Sequence, residues 1–174
     1  MTPLVMLRYR DLVTEPGGTI REHRLLIKQY GYVWWGWWMR QYERVPRELF
    51  AQLIGITEGG GLIRALLFDS GGGALHSCSI GDIRVAPGEA GLGAPEVQKA
   101  PFYYSRGRYP AWFRLDSIVD EPWQPGRLRL VAFPTQVKTQ TAGPGTDQRV
   151  DSPEDLRDID ATLWLVDDLS PQST

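Results

Sequence analysis

With 174 residues the chain fits one domain, able to bury about 70% of the surface its unfolded form exposes without a disulfide or metal staple. Cys78 is the only cysteine, which excludes an internal disulfide and a cysteine-rich zinc site and makes a reducing cytoplasm the expected compartment. Net charge is −2, yet residues 1–150 carry 18 Lys and Arg against 14 Asp and Glu, whereas residues 151–174 carry one Arg against seven acids: a mildly basic body with an acidic tail.

The first run, "PLVMLRYR", is apolar with Leu, Val and Tyr and stops before the turn-forming "EPGG", as a strand does. Its arginines follow the apolar residues, the reverse of a secretory signal, and no later run approaches the roughly 18 apolar residues of a spanning helix, so a soluble protein with no membrane partner is expected. "TIREHRLLIKQYG" reads as a helix with Thr19 as N-cap, Glu22 completing a capping box and Gly31 as the left-handed stop. Its apolar stripe is Ile20, His23, Leu26, Ile27 and Tyr30.

"YVWWGWW", residues 32–38, is too short for an independent helix and reads as a strand. Alternation puts Trp34, Gly36 and Trp38 on one face and Trp35 and Trp37 on the other. "VPRELFAQLIG" follows as a short helix with Pro46 in its first turn, Phe50, Leu53 and Ile54 as stripe, and Gly55 as stop.

From residue 62 the pattern turns to strands. "LIRALLFD" and "ALHSCSIGDIRV" flank the glycine-rich "SGGG" as a hairpin. Residues 86–101 form a Gly- and Pro-rich connection of a length typical of mobile functional loops. "FYYS" and "AWFRLDSIV" read as strands bracketing "RGRYP", and "RLRLVAF" as one more. The chain therefore divides into a domain over residues 1–133, a polar loop over 134–150, and an acidic segment over 151–174 with a short helix and a closing strand. The fold class expected is α+β: a small, curled, mostly antiparallel sheet or barrel with one or two packed helices.

No metalloprotease, nucleophile-elbow or phosphate-loop motif is present, and "EGGG" and "SGGG" lack the lysine ending that holds phosphate. His23 lies on an apolar helix stripe, Glu22 is explained by capping, and Cys78 reads as a small buried residue. No catalytic residue, metal or cofactor is therefore expected. The aromatics are the stronger signal. Trp34, Trp35, Trp37 and Trp38 form either a sandwiched core strand or, on one face, the rings of a cleft; Gly36 in their midst permits close approach by another group. Tyr103, Tyr104, Arg106 and Arg108 in "FYYSRGR" interleave rings with cations, the pairing that base stacking and phosphate neutralisation require, although a strand end followed by a solvated turn gives the same letters.

The hairpin "LFDSGGGALHSCSIGDIRV", the loop after it and "FYYSRGRYPAWFRLDSI" together resemble PUA-like domains of the EVE and ASCH type over residues 3–133. The resemblance implies a small β-barrel that recognises a modified base or nucleotide in an aromatic cage. Nucleic acid or a nucleotide is then the expected partner, held by Trp34 or Trp38 and Tyr103 or Tyr104, with Arg106 and Arg108 on phosphate. Two other readings stay open: an accessory subunit whose exposed tryptophans bind a protein, and a small metal-independent hydrolase or nuclease around His23, Glu43 and Asp69.

Overall fold

The computed structural model describes residues 4–137 and 147–170. Among these residues eight strands form one open sheet in the order β2-β7-β4-β3-β1-β10-β8-β9. In chain order they are β1 (Leu4–Tyr9), β2 (Val33–Trp37), β3 (Ile63–Asp69), β4 (Leu75–Val85), β7 (Ala111–Asp120), β8 (Leu128–Ala132), β9 (Arg149–Val150) and β10 (Leu163–Asp168). Two-residue strands β5 (Leu92–Gly93) and β6 (Arg108–Tyr109) pair separately. Every ladder is antiparallel except that of β1 with β3. The helices are α1 (Gly18–Tyr30), α2 (Arg47–Glu58) and the single turns α3 (Phe102–Ser105) and α4 (Glu154–Arg157). Among the described residues no helix is long and apolar enough to cross a membrane.

The continuous apolar run of β1 follows from its place in the sheet. Val5, Leu7 and Tyr9 face the core under α1 and α2, while Leu4 and Met6 face a second core with Phe68, Leu130, Leu156 and Trp164. A strand covered on both faces has no use for polar alternation. Register shifts between Ser79 and Asp82 bend β4, and another in β10 bends the far half, so the sheet curls. It does not close into the barrel that the sequence also allowed. β2 and β9 stand at opposite ends, and among the described residues the chain beyond β2 meets the chain beyond β8 through no strand ladder but an isolated Glu43–Gln136 bridge and the bonds of Glu43 and Arg44 to Pro134 and Thr135.

Four local expectations are corrected. Thr19 does not cap α1: the N-cap is Gly17, at φ 81, and the Asp11 carboxylate accepts the N–H groups of Gly17 (2.9 Å) and Thr19 (3.1 Å) from upstream. α2 runs through Gly55 to Glu58 and stops at Gly59, before Gly60 at φ 84. "FYYS" is a helical turn, because the Pro101 carbonyl takes the N–H groups of both Tyr104 and Ser105. Residues 149–150 of the expected polar loop are strand β9; residues 138–146 of it lie outside the described residues. Gly31, by contrast, is the left-handed C-cap at φ 88.

Residues 151–170 carry α4 and β10. The strand is not added at an edge: β10 lies between β1 and β8, with Leu163, Trp164 and Val166 fully buried.

Candidate ligand-binding cleft

On α1, Arg21, Arg24 and Lys28 recur at spacings of three and four and therefore share one face. That face and the residues Gly17, Ile20 and Leu25 form one wall of a cleft of about 400 Å³. The opposite wall comes from strand ends: Tyr9 of β1, Asp69 of β3, Ala74 of the turn and His76 of β4. Register brings them together, since Tyr9 pairs with Asp69 and Leu67 with His76.

The polar groups of the cleft are ordered by named contacts. Nδ1 of His76 lies 3.0 Å from Oδ1 of Asp120, its cross-strand neighbour on β7. Arg24 donates to the same oxygen (2.7 Å) and to the Ile118 carbonyl (3.1 Å). Next to Tyr9 and Asp69 in the chain, Arg10 donates to Ser70 Oγ (3.1 Å). Burial, then the Arg24 charge, hold the His76 imidazole below its ordinary pKa, and the Arg24 hydrogen bond holds Asp120 low. The pair is thus a neutral imidazole against a carboxylate. Burial raises the Tyr9 phenol well above its usual range, so its ring is a neutral apolar surface.

Behind Tyr9 runs a chain of rings. Trp35 meets Tyr9 edge-on at 5.5 Å between centroids, His23 at 4.6 Å and Tyr104 at 6.3 Å. Tyr104 continues to Tyr103 at 4.7 Å and to Tyr109 at 5.7 Å, and Tyr109 to Trp112 at 5.1 Å. Tyr109 also explains Gly36: a Cβ there would stand 2.8 Å from the Tyr109 ring. The close approach in the tryptophan strand is by a ring of the same chain. We expect Gly36→Ala to destabilise the fold by about 1–3 kcal/mol through overpacking, measured by urea unfolding; an unchanged midpoint would show that the ring moves aside freely.

The expected site residues do not converge on one cage. Trp35 and Tyr104 meet each other under α1, with Tyr103 against Tyr104. Trp34 lies on the other face, its Nε1 donating to Glu96 (2.8 Å) with Arg84 over its ring. Trp37 is core, edge-on to Phe50 and donating to Thr162 Oγ1 (3.0 Å). Trp38 lies beyond the strand and is 66% exposed. Arg106 stacks over the exposed Phe102 ring at 4.4 Å, and Arg108 donates to the carbonyls of Ala90 (3.0 Å) and Gly91 (2.9 Å).

The 86–101 connection, expected to be mobile, is tied to the sheet. Glu96 accepts from Tyr32 and Trp34, Lys99 bridges Glu96 and Tyr32, and Trp112 Nε1 donates to the Leu92 carbonyl (2.8 Å). These bonds also hold Glu96 below the usual carboxylate range, the Trp34 and Tyr32 donors first.

The residues of the hydrolase reading stand in three separate surroundings. His23 is fully buried, and its Nδ1 meets the Thr19 carbonyl at 2.7 Å. Glu43 accepts from Arg40 N–H, Thr135 and both donors of Thr162. Asp69 alone lines the cleft. Burial pushes the Cys78 thiol up to about 12, which keeps it a packing residue.

The cleft residues were missed at the sequence level, apart from Asp69. One signal was available: three cations at helical spacing on α1. The strand residues opposite carried none, since Tyr9, Asp69 and His76 meet only through the β1–β3–β4 register.

No curated protein and no solved structure matches the chain. A family model described as Pua-like matches residues 5–173, from β1 through β10 and so nearly the whole sheet described above, and on that match the chain belongs to the Pua-like family.

Proposed function

We propose that this chain is a nucleic-acid- or nucleotide-binding module whose ligand enters the cleft between α1 and the ends of β1, β3 and β4. Membership in the Pua-like family supports binding of this general kind. The observation that carries the choice of cleft is the cationic face of α1, Arg21, Arg24 and Lys28, set over the Tyr9 ring and the His76–Asp120 pair. Its 400 Å³ lies within the range of small-ligand pockets, and apolar walls with a few fixed polar groups are the usual lining. In this reading Arg21 and Lys28 neutralise phosphate, Arg24 is held by Asp120 as part of the frame, and the base lies against Tyr9 with Trp35 behind it. Phe102 and Arg106 offer an exposed ring and cation to a longer strand, where the sequence reading had paired Arg106 with Tyr103 or Tyr104.

The test is titration of the protein with short single-stranded oligonucleotides at several salt concentrations. Affinity should fall with salt, with a slope of about −0.7 for each phosphate neutralised. Arg21→Ala and Lys28→Ala should each reduce that slope by about one contact, whereas Tyr9→Leu should weaken binding with the slope unchanged. Absence of binding at low salt, or a slope indifferent to both cations, would sink the proposal.

A second reading has one observation in its favour. Trp38 is exposed, and Tyr42, four residues further on, lines a separate cleft of about 420 Å³ together with Val137, both being half or more exposed. A protein partner seated there would be lost on Trp38→Ala without change in oligonucleotide binding.

A further inference from the structure

We propose that the cleft reads the exocyclic amino group of a nucleobase through Nε2 of His76, so that amino-bearing bases are preferred to their oxo counterparts. This rests on the reading that the cleft takes a nucleotide, and it adds which chemical face of the base is recognised.

The argument begins with the tautomer. Nδ1 of His76 lies against the Asp120 carboxylate at 3.0 Å, and an ionised carboxylate only accepts, so Nδ1 carries the ring proton. Asp120 is ionised at neutral pH, being held low by Arg24. The imidazole is neutral, because burial and the Arg24 charge both oppose a second proton. Nε2 is then a bare acceptor on a residue that lines the cleft, and among the described residues no protein donor meets it.

Asp69 adds a second acceptor to the inner cleft, a carboxylate one oxygen of which takes the Gly71 N–H (2.9 Å), and the Tyr9 hydroxyl beside it can donate or accept. Arg24 turns its Nε and Nη2 donors to the Ile118 carbonyl and to Asp120. At the rim the sign changes. Lys28 and the solvent-facing Arg21, paired with Glu15 at the surface, present cations.

A complementary ligand therefore carries N–H donors at its inner end and negative charge at its outer end. Cytosine and adenine nucleotides meet both conditions through their amino groups. Uracil and hypoxanthine place a carbonyl oxygen where the amine stood, lone pair against lone pair, and a polar group buried without a partner is what a site rejects most strongly.

Binding of pentameric single strands, cytidylate against uridylate and adenylate against inosinate, tests this. The intact protein should favour the amino member of each pair by about tenfold or more, the order of discrimination that one unpaired buried polar group produces. His76→Phe should bring both ratios to within about twofold. Asp120→Leu is the second variant, at a largely exposed carboxylate. It removes the acceptor that holds the ring proton on Nδ1, so the proton can move to Nε2 and the ratios should shrink. Equal binding of the pairs by the intact protein overturns this inference and leaves the nucleotide reading standing. Ratios that survive either substitution also overturn it, and failure of all four strands to bind overturns both readings.

Discussion

A chain ended after residue 133 should show no cooperative unfolding transition and no fixed tertiary signal in the near-ultraviolet. The sequence division would leave that fragment as a complete domain, but β10 occupies an interior place in the sheet. Without it, β1 loses its antiparallel partner over Leu4–Leu7, and β8 is left with neither of its neighbours, since β9 is removed as well. Leu163, Trp164 and Val166, all fully buried, leave the two cores. Removal of a buried tryptophan costs about 3–5 kcal/mol and of a buried leucine about 2–5 kcal/mol, while a whole domain is stable by only about 5–15 kcal/mol. Polar anchors go as well. Thr162 satisfies buried Glu43 and the Trp37 indole, and Asp168 pairs with Arg127 and Arg64. We therefore propose that the cooperative unit extends through β10. A sharp denaturant transition in the 1–133 fragment would show that the sheet is complete without it.

What could be read from the sequence was local, and what could not was set by partners distant in the chain. Gly31 ends α1 as expected because a left-handed stop needs only its own missing side chain. The start of α1 was misread because its acceptor, Asp11, sits six and eight residues before the N–H groups it satisfies, outside any capping-box spacing. "FYYS" has the composition of a strand, but Pro101 before it supplies a carbonyl that closes a helical turn. Strand alternation correctly separated Trp34 from Trp35 and Trp37, which lie in different clusters. It could not say that the strand ends at Trp37 and leaves Trp38 outside.

The question of core or cleft for the tryptophans has a divided answer for the same reason. β2 is the terminal strand of its sheet, and such a strand can ordinarily expose one face. Here both faces are covered, by α1 and α2 on one side and by the tethered 86–101 connection on the other. Glu96 makes the second cover possible by accepting from both Tyr32 and Trp34. The rings therefore build a wall behind the cleft through Trp35 and Tyr9, and the cations beside open space come from a helix whose stripe had been read only for its apolar residues.

Stability should fall by about 3 kcal/mol as pH is lowered from 6.5 to 4, and most of that loss should vanish in His23→Phe. His23 is fully buried on α1, against the rings of Trp35 and Tyr104, and its only polar contact among the described residues is the Thr19 carbonyl. Desolvation of the charged form lowers its pKa from 6.5 to about 4; the Thr19 carbonyl, which favours a protonated ring, opposes the shift only in part. The sign follows directly. Because the folded pKa lies below the unfolded one, the unfolded chain binds the proton first. The stabilisation is complete above 6.5, declines as pH falls between 6.5 and 4, and is gone below 4. His76 is lowered too and contributes in the same direction, so the informative quantity is the difference between the intact chain and the variant. Carboxylates held low, such as Asp120 and Asp168, lose their contribution below the ordinary carboxylate range and so act in a separate, more acid window. Urea unfolding at half-unit steps of pH measures this. A pH profile identical in the two proteins between 6.5 and 4 would mean that His23 is protonated within the fold, with a counter-charge or water at its Nε2.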